Sequence, residues 1–131
     1  MRKKAAAVTT VEMAYIMPVV LLVFLAVVYT AFYFHDKNVL SGMAYETALI
    51  GAQTQRLPEE MKEEEMTGFF REHTAGKLIL LSNPQVTVSR DTSYVIVKAT
   101  ASRRRMKINV EMKALIMEPE KFIRMIRKVK K

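Results

Sequence analysis

From Met13 to Phe34 no side chain carries a charge. As a helix rising 1.5 Å per residue, this run of 22 residues would be roughly 33 Å long, enough to cross a hydrocarbon core of about 30 Å. In 131 residues such a span leaves room for one small domain beyond it. A cleaved secretory signal fits poorly. Its apolar core is usually about 7–15 residues with a small-residue cleavage site, and this run ends in Tyr33-Phe34-His35-Asp36. Arg2, Lys3 and Lys4 precede the span, whereas His35, Asp36 and Lys37 follow it. That bias predicts a single-pass protein of the cell membrane, its N-terminus cytoplasmic and the remainder extracytoplasmic. Tyr29, Phe32 and Tyr33 would lie at the outer interface.

Two residues make the run more than a generic anchor. Glu12 stands at its entrance and Pro18 about a turn and a half inside. A carboxylate in a bilayer costs about 2.5–3.5 kcal/mol at mid-depth and less near the boundary. Glu12 either enjoys the positive end of a helix dipole or needs a cationic partner in a low-dielectric setting, which would mark an assembly contact. Pro18 has no N–H, so the Ala14 carbonyl loses its helical partner and a kink is expected. Neighbouring helices can satisfy such a group in a membrane. Pro18 is thus either a tolerated membrane proline or a bend with a role in extraction or filament packing.

Arg2-Lys3-Lys4, then Ala5-Ala6-Ala7, then Val8-Thr9-Thr10-Val11-Glu12 and a long apolar helix together resemble the class III signal peptide of type IV pilin-like proteins. The stretch from Thr10 to Pro18, with Val11-Glu12, Ala14 and the following proline, further resembles the TadE-like family of minor pseudopilins of the tight-adherence (Tad, or Flp) pilus system. The resemblance covers about the first 55 residues. It implies cutting by a prepilin peptidase between Ala7 and Val8, which makes Glu12 the fifth residue of the mature chain. Ala7 stands where the family usually has glycine. It also implies that the freed α-amino group of Val8 neutralises Glu12 of a neighbouring subunit during pilus assembly. The partners implied are other pilin-like subunits, the Tad assembly and secretion machinery, prepilin peptidase and membrane lipid.

Beyond Asp36 the helix is expected to continue to Gln55. Ala44, Ala48 and Ala52 recur at four-residue spacing, with Ser41 and Gly51 nearby. Such a face allows close helix approach, and family comparison favours reading it as an assembly surface. Leu57-Pro58 should end this helix, and Pro58 should open the next. Glu59, Glu60, Glu63, Glu64 and Glu65 would load its early turns, with Met61, Met66, Phe69 and Phe70 as its apolar residues. Gly76 is a stop. Lys77-Leu78-Ile79-Leu80-Leu81 is ambiguous between buried strand and last helical turns. Ser82-Asn83-Pro84 reads as a turn. Period-two alternation over residues 85–89, 94–101 and 106–114 predicts a three-stranded antiparallel meander covered by the preceding helix. Glu118-Pro119-Glu120 opens a last helix with an apolar stripe of Phe122, Ile123, Ile126 and Val129 among lysines and arginines. It is expected to pack on the sheet with a solvated basic face, the alternative being a membrane surface.

The expected fold is therefore α+β, with residues 1–7 a basic leader, 8–56 the membrane helix and its continuation, and 57–131 a small extracytoplasmic domain. The net charge is +8, and from Gln85 onward thirteen Lys and Arg face four acids. That balance points to anionic lipid, wall polymer or an acidic partner. Arg103-Arg104-Arg105 would suit phosphate, but no stacking platform or nucleic-acid module accompanies it, so nucleic acid is not expected. Without cysteine there is no thiolate chemistry, and His35 and His73 lack metal-ligand spacing. Neither a cofactor nor enzyme activity is expected. The competing reading is an unprocessed, membrane-anchored binding domain contacting anionic lipid, wall polymer or a regulatory partner.

Overall fold

A computed structural model describes residues 2–55, 61–116 and 118–130. The order of elements is α1 (Arg2–Thr54), α2 (Glu63–Thr74), β1 (Ser82–Arg90), β2 (Tyr94–Arg103), β3 (Met106–Leu115) and α3 (Pro119–Val129). This is the expected α+β arrangement. The chain divides into two compact units, Met1–Phe34 and His35–Lys131, so the break falls inside α1 rather than at its end.

The first unit is one apolar helix. Its side chains from Lys3 to Val27 are all exposed, and α1 is long and apolar enough to cross a membrane. Its threonine hydroxyls are already satisfied. Thr9, Thr10 and Thr30 donate to the carbonyls of Ala5, Ala6 and Ala26 one turn back, at 2.9, 2.8 and 2.7 Å. Back-bonding of this kind lets threonine sit in an apolar medium without an orphaned donor. Pro18 lies within the continuous helix.

In the second unit α1 changes character. Asp36, Leu40, Met43, Ala44, Thr47, Ala48, Gly51 and Ala52 are all buried, a stripe at three- and four-residue spacing that turns one face of the helix to a core. The expected helix end at Leu57-Pro58, and the placement of Pro58, Glu59 and Glu60, fall outside the described residues. Among the described residues, α2 starts at Glu63 and carries Glu63, Glu64 and Glu65 in its first turn, where the helix dipole favours them. The Glu65 carboxylate accepts the Lys62 backbone N–H at 3.2 Å, which satisfies one donor at the helix start. Met61 precedes α2 and its carbonyl accepts from the Arg90 guanidinium. Met66, Phe70 and Thr74 form the buried face of α2, which lies beside β1. Gly76 takes φ +75 just past the C-cap, a backbone conformation that glycine reaches without a Cβ clash.

The sheet is an antiparallel meander of order β1-β2-β3. Val97 of the central strand pairs with Val88 on one side and Met112 on the other. Val95, Val97, Ala99 and Ala101 of β2, with Ile108, Val110 and Ala114 of β3, form its buried face. The opposite face is polar: Glu111 lies 3.5 Å from Lys98 across the strands and 3.3 Å from Lys113. A three-stranded sheet with one apolar face needs a cover. α2 supplies part of it, as expected. The second half of α1 joins it: a Cβ built on Gly51 would lie 2.6 Å from Met66 Sδ and 3.4 Å from Val95 Cγ1.

Three expectations are corrected. Ser82-Asn83-Pro84 is no turn but the irregular start of β1. Ser82 still pairs with Ser102, and the register shifts before Gln85, where Asn83 takes φ 53. Turn-forming residues here make a bulge. Lys77–Leu81 is neither strand nor helix, but a bent connection. Finally, α3 does not pack on the sheet. Phe122, Ile123, Met125, Ile126 and Val129 are all exposed.

Candidate functional site

In the first unit, the residues singled out from sequence gather at the N-terminal end of α1. Ala7, Val8, Val11 and Glu12 line a single shallow groove, because positions one turn apart on a helix share a face. The Ala7–Val8 bond therefore stands one turn from the Glu12 carboxylate, on its side of the helix. Around them Val11, Met13, Tyr15 and Ile16 are exposed, so Glu12 is a lone acid on an apolar rod. Among the described residues no cation lies within ion-pair distance of it. Pro18 is on the same helix, farther along.

Ala44, Ala48 and Ala52 do not belong to this site. They are buried in the core of the second unit, the first two with no exposed surface. Their expected role as an assembly face is corrected accordingly. Small residues at this spacing do permit close packing, but the surface approached is the chain's own. Met66 and Val95 stand against Gly51 on the same stripe. A face already covered by its own domain cannot receive a neighbour as well.

The strongest polar constellation in the second unit was not anticipated as a site. Asp36 is fully buried at the start of the domain. Its Oδ1 accepts the N–H of Ile79 at 2.8 Å, and its Oδ2 accepts those of Leu80 and Leu81, each at 2.7 Å. Three successive backbone donors converge on one carboxylate, the concave arrangement that binds anions. His35 Nδ1 adds a contact to Oδ1 at 3.3 Å. Burial by itself pushes the Asp36 carboxyl up. The N–H groups of Ile79 and Leu81, then His35 and the N–H of Leu80, outweigh it and leave the group below its ordinary value. This explains the bent form of residues 77–81. The donors of Ile79, Leu80 and Leu81 serve a side chain instead of a helix or a ladder. Arg103 completes the clamp by donating to the Leu80 carbonyl at 3.2 Å. One sequence signal could have found Asp36: it is in phase with Leu40, Met43, Ala44 and Thr47 on the buried stripe.

Arg103, Arg104 and Arg105 do not act as a set. Arg103 bonds to Leu80, and Arg104 occupies the β2–β3 turn with φ 55.

The family model described as TadE-like protein matches residues 7–49. The matched segment includes Ala7, Val8, Glu12 and Pro18 and runs on through Asp36 to the first part of the buried stripe. Over this N-terminal segment the chain is similar to the TadE-like family, as its sequence pattern indicates. No curated protein and no solved structure matches the chain.

Proposed function

We propose that this chain is a minor pseudopilin-like subunit that takes part in assembly of a Tad/Flp-type pilus through its N-terminal helix. The observation that carries the reading is Glu12: an acid with no cationic partner among the described residues, on an exposed apolar helix, within the segment matched by the family. In lipid such a charge is costly unless paired, and an ammonium–carboxylate pair in apolar surroundings is strongly favoured over either charge alone. Cleavage after Ala7 by a prepilin peptidase creates the matching cation, the α-amino group of Val8. In the assembled pilus that cation pairs with the Glu12 of a neighbouring pilin-like subunit, as the family resemblance implies. The N-terminus is cytoplasmic, α1 anchors the chain in the cell membrane, and the domain from His35 onward is extracytoplasmic. Pro18 leaves the Ala14 carbonyl free to bond a neighbouring helix. The role is structural and non-catalytic.

Two measurements test this. Intact mass of the protein from its native host should show loss of the first seven residues. Glu12→Ala should insert and be processed normally, yet fail to co-purify with its pilin-like partners. An intact or Met-trimmed N-terminus, together with undiminished co-assembly of Glu12→Ala, would leave only a plain membrane tether.

A further inference from the structure

α3 is a short helix with two opposed faces. At about 100° per residue, Phe122, Ile123, Met125, Ile126 and Val129 fall within an arc of roughly 160°. Lys121, Arg124, Arg127 and Lys128 fall on the other side. All five apolar side chains are exposed, Val129 to 85% and none below 49%. A solitary helix of 11 residues is marginal in water, because nucleation is not repaid over so few turns. A surface that covers the apolar face is what makes such a helix worth forming.

We infer that α3 lies in the plane of an anionic phospholipid surface, its apolar face sunk into the headgroup–acyl boundary and its cations among the phosphates. Charge complementarity selects this occupant. A second copy of α3 would cover the apolar arc over only three turns and leave the cations of both copies without counter-charge. A nucleic acid would engage the cations and leave the five apolar side chains wet. A lipid surface satisfies both faces at once. Each Lys or Arg near an anionic membrane is worth roughly a fivefold gain in binding, so four of them together contribute a gain of several hundred-fold. The same chain carries a helix long and apolar enough to cross a bilayer, which holds α3 at a high effective concentration near lipid. The inference does not depend on the pilus reading; it holds for a processed subunit or an uncut anchor alike.

The chain has no cysteine, so single labels report unambiguously. Full-length Ile126→Cys and Lys128→Cys proteins, each carrying an environment-sensitive dye, are placed one chain per nanodisc. The discs contain either phosphatidylcholine alone or a mixture with phosphatidylglycerol. The dye at 126 should become several-fold less accessible to an aqueous quencher only in the anionic discs, while the dye at 128 stays accessible. High salt, or the combined change Arg124→Glu, Arg127→Glu and Lys128→Glu in the 126-labelled protein, should abolish the protection. Circular dichroism of that variant should still report the sheet and the long helix of the parent, any change being confined to the 11 residues of α3. Equal quenching at 126 in both lipids overturns the inference. So does protection that appears only with two chains per disc, or on adding an acidic protein segment, because the face would then belong to a protein partner.

Discussion

Replacing Asp36 should be far more damaging than any other single change to a charged residue. Its carboxylate is fully buried and receives three backbone donors at 2.7–2.8 Å. Hydrogen bonds to a charged group are worth about 1.5–3 kcal/mol each, and a buried donor left unmet costs about 1–3 kcal/mol. The Leu81 donor is buried, whereas those of Ile79 and Leu80 are only partly so. Water recovers some of the loss at the latter two. Asp36→Ala should therefore cost roughly 3–5 kcal/mol, a large share of the 5–15 kcal/mol that holds a typical domain together. Asp36→Asn preserves the volume but offers a single acceptor oxygen. Whichever way the amide turns, its NH2 faces at least one backbone N–H. It should cost roughly 2–4 kcal/mol, so the isosteric change is not conservative here. The assay is thermal and urea unfolding of full-length protein in detergent, joined to amide hydrogen exchange at Ile79, Leu80 and Leu81. Those three amides should lose protection before the sheet does. The sign of the pH effect follows from the same geometry. The folded-state pKa lies below the unfolded one, so the stabilisation is fully present above the unfolded value of about 3.9 and is lost as pH falls through the folded value. Asp36→Asn should remove this part of the acid sensitivity. If both variants cost less than about 1 kcal/mol, or if the exchange of residues 79–81 is unchanged, the carboxylate does not hold this connection and the reasoning fails.

Gly51→Ala places a Cβ 2.6 Å from Met66 Sδ inside a filled core. Better helix propensity recovers about 1 kcal/mol of an overpacking cost of about 1–3 kcal/mol, so a net loss is expected, and adding Met66→Val should restore part of it in a double-mutant cycle by urea unfolding. Arg104→Gly should raise the unfolding midpoint slightly, because the left-handed conformation at φ 55 costs a side-chain-bearing residue about 1–2 kcal/mol, offset in part by the entropy of glycine in the unfolded chain. Glu111→Gln should leave the midpoint unchanged within error, since Glu111 and its partners Lys98 and Lys113 are all solvent-exposed.

The elements that local chemistry dictates were legible in the sequence. The uncharged run from Met13 to Phe34, the alternating strands and the Glu118-Pro119 helix start each follow from a periodicity or a backbone constraint that acts over a few residues. Glu12 stands out in the sequence as an acid where hydrophobicity makes one expensive. What failed were choices between partners. Ala44, Ala48 and Ala52 marked a face for close packing, but spacing carries no information about whether the approaching surface is another subunit or the chain's own Met66 and Val95. α3 showed an amphipathic stripe, which says that something should cover it and not what.

The sequence alone fixed where the chain is greasy, where it alternates and where its helices begin, because propensity and solvation are properties of neighbouring residues. The tertiary structure alone decided the fate of Asp36. Taken along the chain it is one more charge flanking the apolar run, and only folding brings it to Ile79, Leu80 and Leu81, more than 40 positions away. A carboxylate becomes an anchor when three donors reach it in a place water does not, and no local pattern encodes that meeting.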